Sequence, residues 1–266
     1  MVNRAEGADG RKRVLLAGES WVSSATHYKG WDQFGSVTYH LGADHLVKAL
    51  ADSAYSLTYM PSHLAAKDFP QSLEDLQLYA AVILSDIGSN TLLLHPDTWL
   101  EGKPTPNRLK LLREYVRGGG SLIMVGGYYS FQGLNGGARY RGTAIEEVLP
   151  VSILPYDDRV EVPEGFKPEV VGDPNHPVLR GLGRDWPLLL GYNEVQMKQQ
   201  EGTELLAKVP DEAGGHPLLV TGTYGSGRSL AWTSDIGPHW LPDQFAAWHG
   251  YAKLWQQSLD WLTAPQ

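Results

Sequence analysis

Short, unbroken apolar runs alternate with segments of helical period through the first half of the chain. Arg13-Val14-Leu15-Leu16-Ala17-Gly18 reads as a strand buried on both faces, and Tyr55 to Met60, Ala80 to Leu84 and Ser121 to Val125 repeat the pattern. Ala43, Leu46, Val47 and Leu50 fall at i, i+3, i+4, i+7 spacing, the mark of an amphipathic helix. A second helix is predicted over Asn107 to Arg117. It follows Pro104 and Pro106, aligns Leu109, Leu112 and Val116, and stops at Gly118-Gly119-Gly120. Trp21 through Trp31 lacks either period and is expected to be a polar loop.

A glycine-rich loop from Gly126 to Gly142 leads into a short helix over Thr143 to Val148, with Glu146 and Glu147 on its wet side. From Pro150 onward, prolines and glycines break the chain often. Leu205 to Val209, Pro217 to Tyr224 and Arg228 to Thr233 read as strands, the last two joined as a hairpin by Gly225-Ser226-Gly227. A closing helix places Tyr251, Leu254, Trp255, Ser258, Leu259 and Leu262 on one stripe. Residues 1–11 carry charge and glycine without apolar period and are expected to be a disordered tail, leaving 12–266 as one domain. Strands alternating with helices predict an α/β, doubly wound, mostly parallel sheet with an added C-terminal hairpin. In such sheets ligands lie beyond the carboxyl ends of the strands.

Composition narrows the function. The net charge is −8, from 30 acidic against 22 basic residues, which argues against a nucleic-acid groove and against docking on anionic membranes. No run approaches the roughly 18 apolar residues of a membrane span, and no signal-peptide pattern opens the chain, so a cytoplasmic location is expected. There are no cysteines, which removes disulfides, thiolate metal sites and thiol nucleophiles together. No cofactor is expected.

The strand ends carry the candidate chemistry. Glu19, Ser20 and Trp21 follow the first strand; Ser85, Asp86, Ser89 and Asn90 follow the third; Tyr128, Tyr129, Ser130 and Gln132 follow the fourth. Ser-Asp-Ile-Gly occurs twice, at 85–88 and 234–237, each time directly after a strand, the second followed by Pro238, His239 and Trp240. If those strands are neighbours, Glu19, Asp86 and Asp235 converge, and carboxylates held together raise one another's pKa and create a general acid beside a base. With His27 or His239 they would alternatively hold a divalent metal. The plainer alternative is that each Asp caps its own turn. Among nine histidines there is no His-Glu-x-x-His; His239, beside a strand end, and His27, after the first strand, are the two of interest. The Gly-rich stretch Thr221 to Ser229 lacks the Gly-Lys-Ser/Thr of a phosphate loop, and a hairpin turn accounts for its glycines. Trp21, Trp31, Trp240 and Trp248 are expected in loops, as a ligand wall or as subunit contacts of a two-fold homo-oligomer.

Several segments together resemble the bacterial and archaeal glutamine amidotransferase-like family. They are Gly18-Glu19-Ser20-Trp21-Val22-Ser23, Leu84-Ser85-Asp86-Ile87-Gly88-Ser89-Asn90, Gly119 to Tyr128, Phe131-Gln132-Gly133, Glu146-Glu147-Val148-Leu149-Pro150 and Thr233 to Trp240. The resemblance runs from about Arg13 to the C-terminus and implies a class I glutamine amidotransferase-like, flavodoxin-like sheet. Class I amidotransferases present a nucleophile from a Gly-x-Cys-x-Gly elbow and draw His and Glu from a later strand. Here the position after Val125 carries Gly126-Gly127-Tyr128-Tyr129-Ser130, and the late strand ends in Ser234-Asp235. Thioester chemistry is therefore out of reach. Ser130 does not sit in the Gly-x-Ser-x-Gly setting that exposes a serine nucleophile.

Two function classes remain. One is a protein without cysteine-dependent glutaminase activity that binds a small polar metabolite at the strand ends. The other is a hydrolase or other enzyme using carboxylate and histidine acid–base or metal-assisted chemistry in the same crevice. In both, Glu19, Asp86, Tyr128, Asp235 and His239 are the candidate catalytic groups. Ser20, Trp21, His27, Ser89, Asn90, Ser130, Gln132 and Trp240 are the candidate ligand contacts.

Overall fold

The computed structural model describes residues 5–265 except Ala8. β1 (Lys12–Gly18) leads into β2 (Ser20–Lys29) and β3 (Asp32–Leu41), followed by α1 (Asp44–Leu50), β4 (Tyr55–Met60), α2 (Ser62–Asp68) and α3 (Leu73–Leu76). β5 (Ala81–Ser85), α4 (Ser89–Leu93), α5 (Pro96–Glu101), α6 (Arg108–Arg117), β6 (Ser121–Val125) and α7 (Ala144–Val148) come next. Then follow the short strands β7 (Val151–Ile153), β8 (Arg159–Phe166), β9 (Glu169–Val170), β10 (Leu189–Asn193), β11 (Val195–Met197) and β12 (Glu204–Lys208). β13 (Pro217–Tyr224), β14 (Gly227–Trp232), α8 (Asp243–Ala246) and α9 (Gly250–Thr263) complete the described chain.

Eight strands form one sheet in the order β4-β1-β5-β6-β14-β13-β12-β9. The first five run parallel, and β13, β12 and β9 extend the sheet antiparallel. The protein is thus α/β with a large, mostly parallel central sheet. Strand side chains alternate between two apolar layers. Val14 and Leu16 face the layer that holds α1 and α9, while Leu15 and Ala17 face the layer that holds α6 and α7. The α9 stripe Tyr251, Leu254, Trp255, Ser258, Leu259 and Leu262 is buried as its spacing requires. Because β1, β5, β6 and β14 run parallel, their carboxyl ends lie on one edge of the sheet, and all that follows depends on this alignment.

Two expectations need correction. The segment after the first strand is not a loop: β2 and β3 pair along their whole length, from Ser20↔Leu41 to Lys29↔Asp32, as a hairpin that projects from the body. Apart from Gln33 and Leu41 the uncharged residues are β-branched, aromatic or small, and only Lys29 and Asp32 are charged, which suits a ribbon. Most of the hairpin stays exposed on both faces, so no burial period marks it. The tryptophans also divide differently. Trp31, Trp240 and Trp248 lie outside strands and helices as expected and Trp21 lies in β2, but Trp240 is buried and Trp248 packs against the core, so only Trp31, at the hairpin turn, is fully exposed. Of the expected tail, residues 1–4 and Ala8 lie outside the described residues. Gly7 N–H donates to the Arg11 carbonyl and Arg13 N–H to the Ala5 carbonyl, so this stretch folds back on β1.

Candidate functional site

Glu19 is the residue after β1, Asp86 the residue after β5, and Asp235 lies three residues beyond β14. Glu19 and Asp235 are each 1% exposed, whereas Asp86 and Tyr128 are half-buried and the His239 side chain is 35% exposed. The acids therefore stack in depth, with Asp86 and His239 at the mouth and Glu19 and Asp235 beneath. Ser85 Oγ donates to Glu19 Oε2 at 2.6 Å. Tyr59 donates to the Glu19 carbonyl at 2.6 Å, which pins the backbone there. Asp235 Oδ1 accepts the N–H groups of Ile236 and Gly237, at 2.7 and 3.2 Å, while Oδ2 faces His239 Nδ1 at 3.8 Å. Asp86 Oδ1 accepts Tyr129 N–H at 2.6 Å, and Asp86 N–H donates to Ser130 Oγ at 3.1 Å. Each aspartate thus spends one oxygen on backbone. Asp235 caps its own turn, as the plainer alternative required, while Asp86 fastens a neighbouring loop instead.

These carboxyls act on one another. Burial is the largest influence on all three: it pushes Glu19 and Asp235 well above the ordinary carboxylate range and raises Asp86 as well. Like charge adds to it, since Asp235 and Asp86 both raise Glu19, and Asp86 raises Asp235. Opposing this are the Ser85 hydroxyl on Glu19, the turn N–H groups on Asp235, Tyr129 N–H on Asp86, and His239 beside Glu19 and Asp86. Close approach is built into the glycines: a Cβ at Gly42 would lie 2.5 Å from Glu19 Oε1, and one at Gly127 would lie 2.9 Å from Asp86 Oδ1.

Three of these residues occupy left-handed backbone without being glycine: Glu19 at φ 47°, Asp86 at φ 44° and His239 at φ 94°. Each such residue costs about 1–3 kcal/mol and persists only where its surroundings enforce it. At Asp86 the strain falls between a strand, β5, and a helix, α4, the strand-to-helix turn that exposes a nucleophile in α/β hydrolases. The position after Val125, already without the elbow's residues, has no such turn either: β6 runs into Gly126 and Gly127, and the next α-helix, α7, begins only at Ala144. The elbow-like position belongs to Asp86.

Aromatic rings wall the mouth. Tyr128 stacks on His239 with centroids 5.3 Å apart, Trp21 approaches His239 at 5.1 Å and stacks on His40 at 5.0 Å, and Trp240 lies 5.8 Å from Tyr128. Trp240 is held from behind by Nε1 donating to Glu161 at 2.9 Å. Burial, then Glu161, raises the Tyr128 phenol above its usual range, against the Arg159 guanidinium 4.9 Å over its ring. The remaining expected contacts scatter. Ser20 Oγ accepts Ser62 N–H, and Ser130 is buried under Asp86. Ser89, Asn90 and Gln132 line a separate polar cavity of about 440 Å³ with Arg139 and Arg141. His27 is far out on the hairpin, stacked on Phe34 and 2.7 Å from Ser36 Oγ, so it is not at the crevice. Among the described residues no group of three or more His, Asp or Glu side chains is arranged to hold a metal ion.

Sequence reasoning missed the supporting residues. Asn193 exchanges hydrogen bonds with the Gly127 backbone, at 2.9 and 3.2 Å, and donates to Asp158 at 2.8 Å. Asp158 also accepts the N–H groups of Gln132 and Gly133, both at 2.8 Å. This clasp fixes the loop that carries Tyr128. The run Asp157-Asp158-Arg159 was its only sequence signal.

The profile of the family described as "putative glutamine amidotransferase" matches residues 13–264. The chain belongs to this family. Two solved family-like structures from Salmonella typhimurium, STM3548 and STM1381, are each described as a cytoplasmic protein. Both are 41% identical to the chain and cover 94% of it, with TM-scores of 0.87 and 0.88; the match spans 98% and 99% of their own lengths. A thua-like protein from Parabacteroides merdae, 14% identical with a TM-score of 0.54 over 95% of this chain and 89% of its own, shares the fold alone. No curated protein matches the chain. Within a family named for amidotransfer, this member has no cysteine.

Proposed function

We propose that the protein is a cysteine-independent enzyme that performs acid–base chemistry on a small polar metabolite at the carboxyl ends of β1, β5 and β14. One observation carries the reading: three carboxyls from three strand ends share one site, two of them on strained backbone. Glu19 and Asp235, raised furthest, hold their protons to higher pH than Asp86, which is raised least and is the first to ionise. Asp86 is also the most exposed of the three, with Oδ1 fixed by Tyr129 N–H, and serves as base or nucleophile. Glu19 and Asp235 serve as the acids behind it. His239, on the rim and 3.8 Å from Asp235, relays protons to solvent. Tyr128 keeps its phenol proton and donates a hydrogen bond. The parallel sheet supports a flavodoxin-like, class I amidotransferase-like fold carrying the β13–β14 hairpin, and the description of both Salmonella relatives as cytoplasmic supports the same location here.

The second reading, a binding protein without turnover, is favoured by the depth of Glu19 and Asp235, each 1% exposed. Incubating wild type and Asp86→Asn with a cell-free metabolite extract separates the two by mass spectrometry. Under the enzyme reading, wild type depletes one compound and yields a product, and Asp86→Asn does not, while both unfold at the same denaturant concentration. A compound that co-purifies unchanged with wild type, with no depletion, refutes turnover and supports the binding reading.

A further inference from the structure

The β2–β3 hairpin has two unlike faces. One carries Trp21, His40, His27, Phe34, Lys29 and Asp32, paired across the strands in ring stacks and at the tip. The other carries Val22, Tyr28, Val37, Tyr39 and Leu41, whose exposures are 59, 72, 73, 42 and 51%. The residues between them on that second face are Ser20, Ser24, Thr26, Gln33 and Gly35, so the face has no charge at all.

A lone two-stranded ribbon is marginal in water and needs a layer against its apolar face. Only the base of this face meets the body, where Tyr39 bonds His63 Nδ1 at 2.7 Å. The outer part, ten residues per strand at about 3.3 Å each, reaches too far for the rest of the chain to cover it. Apart from Lys29 at the tip, the edges lack the lysines and prolines that normally keep such strands apart. Exposed apolar surface of this kind marks an interaction site.

We propose that this face is the two-fold interface of a homodimer, in which the hairpins of two copies stack apolar face on apolar face. The charge of the chain selects the partner. Two copies of net charge −8 repel, and an uncharged face is where that repulsion opposes contact least. A basic partner would instead seek acidic surface. The area is sufficient. About 100 Å² from each of five large side chains gives about 500 Å² per copy and about 1,000 Å² for the pair, the lower bound of a specific interface. Val37 and Ser24 lie near the middle of the face, so the two-fold axis passes close to Val37.

Sedimentation of the full chain tests this at micromolar concentration. Wild type is expected as a dimer. Val22→Lys with Val37→Lys weakens dimerisation about 100-fold or more, while Ser23→Lys with Thr38→Lys, on the opposite face, leaves it within about threefold. Because the chain has no cysteine, Val37→Cys supplies a single thiol, and a short bis-maleimide spanning stacked sheets about 10 Å apart should link two copies covalently. That result stands even if the double-lysine chain fails to fold. A monomeric wild type, equal dissociation by lysines on both faces, or no cross-linking at Val37 overturns the proposal.

Discussion

Replacing Glu19 by Gln tests whether the buried acid is held protonated, because the substitution keeps the shape and removes only the ability to ionise. Folding raises the Glu19 pKa through burial first and then through Asp235 and Asp86. In the unfolded chain the carboxyl titrates near the ordinary value of about 4.3. Below that value both states are protonated and the group contributes its full stability. As pH rises, the unfolded chain releases the proton and the folded one retains it, so stability falls by about 1.4 kcal/mol per pH unit until the folded group ionises. Gln has no such slope. Near pH 4, Glu19→Gln should lie within about 0.5–1.5 kcal/mol of wild type, since the amide oxygen still accepts from Ser85 while an NH2 group replaces the acid's hydroxyl. Above about pH 5 the curves should diverge, with the variant gaining about 1.4 kcal/mol per unit over wild type. Urea unfolding at half-unit steps from about pH 4 to about pH 8 gives both curves. Parallel curves would refute the reasoning, because they would mean that folding leaves the Glu19 titration where it stands in the unfolded chain.

Gly42→Ala places a methyl 2.5 Å from Glu19 Oε1, and Ser85 and Tyr59 hold Glu19 in place, so the variant should lose about 1–3 kcal/mol in denaturant melts. Retained stability would show that the carboxyl moves easily. The purified protein should release no ammonia from glutamine, and a glutamine-analogue electrophile should leave its mass unchanged, because no thiolate exists to be acylated.

The parallel half of the fold was legible because its strands are buried on both faces, so Val14 to Ala17 and Val82 to Leu84 read as unbroken apolar runs. The α9 stripe was legible for the complementary reason, a wet side opposite a dry one. The hairpin was hidden because neither face is buried, and a pattern of burial is what periodicity detects. His27 was misplaced along with it. At the site, Glu19, Asp86 and Asp235 could be nominated from strand ends alone. The left-handed turn at Asp86 could not, since Ser-Asp-Ile-Gly looks the same at 85–88 and 234–237 and only Asp86 has positive φ. Glu161, Arg159 and Asn193 reach the site from short antiparallel segments whose sequence carries no such signal.

The order of strands in the sheet differs from their order in the chain, and that has a consequence during synthesis. β4, β1, β5 and β6 can assemble as soon as residue 125 has left the ribosome, but β14, the neighbour of β6, is made about a hundred residues later, which is at least 5 s at 5–20 residues per second. For that interval Ser121–Val125, a fully buried strand in the finished protein, is an open, apolar edge on a nascent chain. The antiparallel strands β13, β12 and β9 cannot join until β14 has taken its place, and Asp235 and His239 arrive with it. Chaperone dependence and inclusion-body formation in this protein should therefore trace to the β6 edge, and chains cut short before Gly227 should aggregate while lacking Asp235 and His239 of the candidate site.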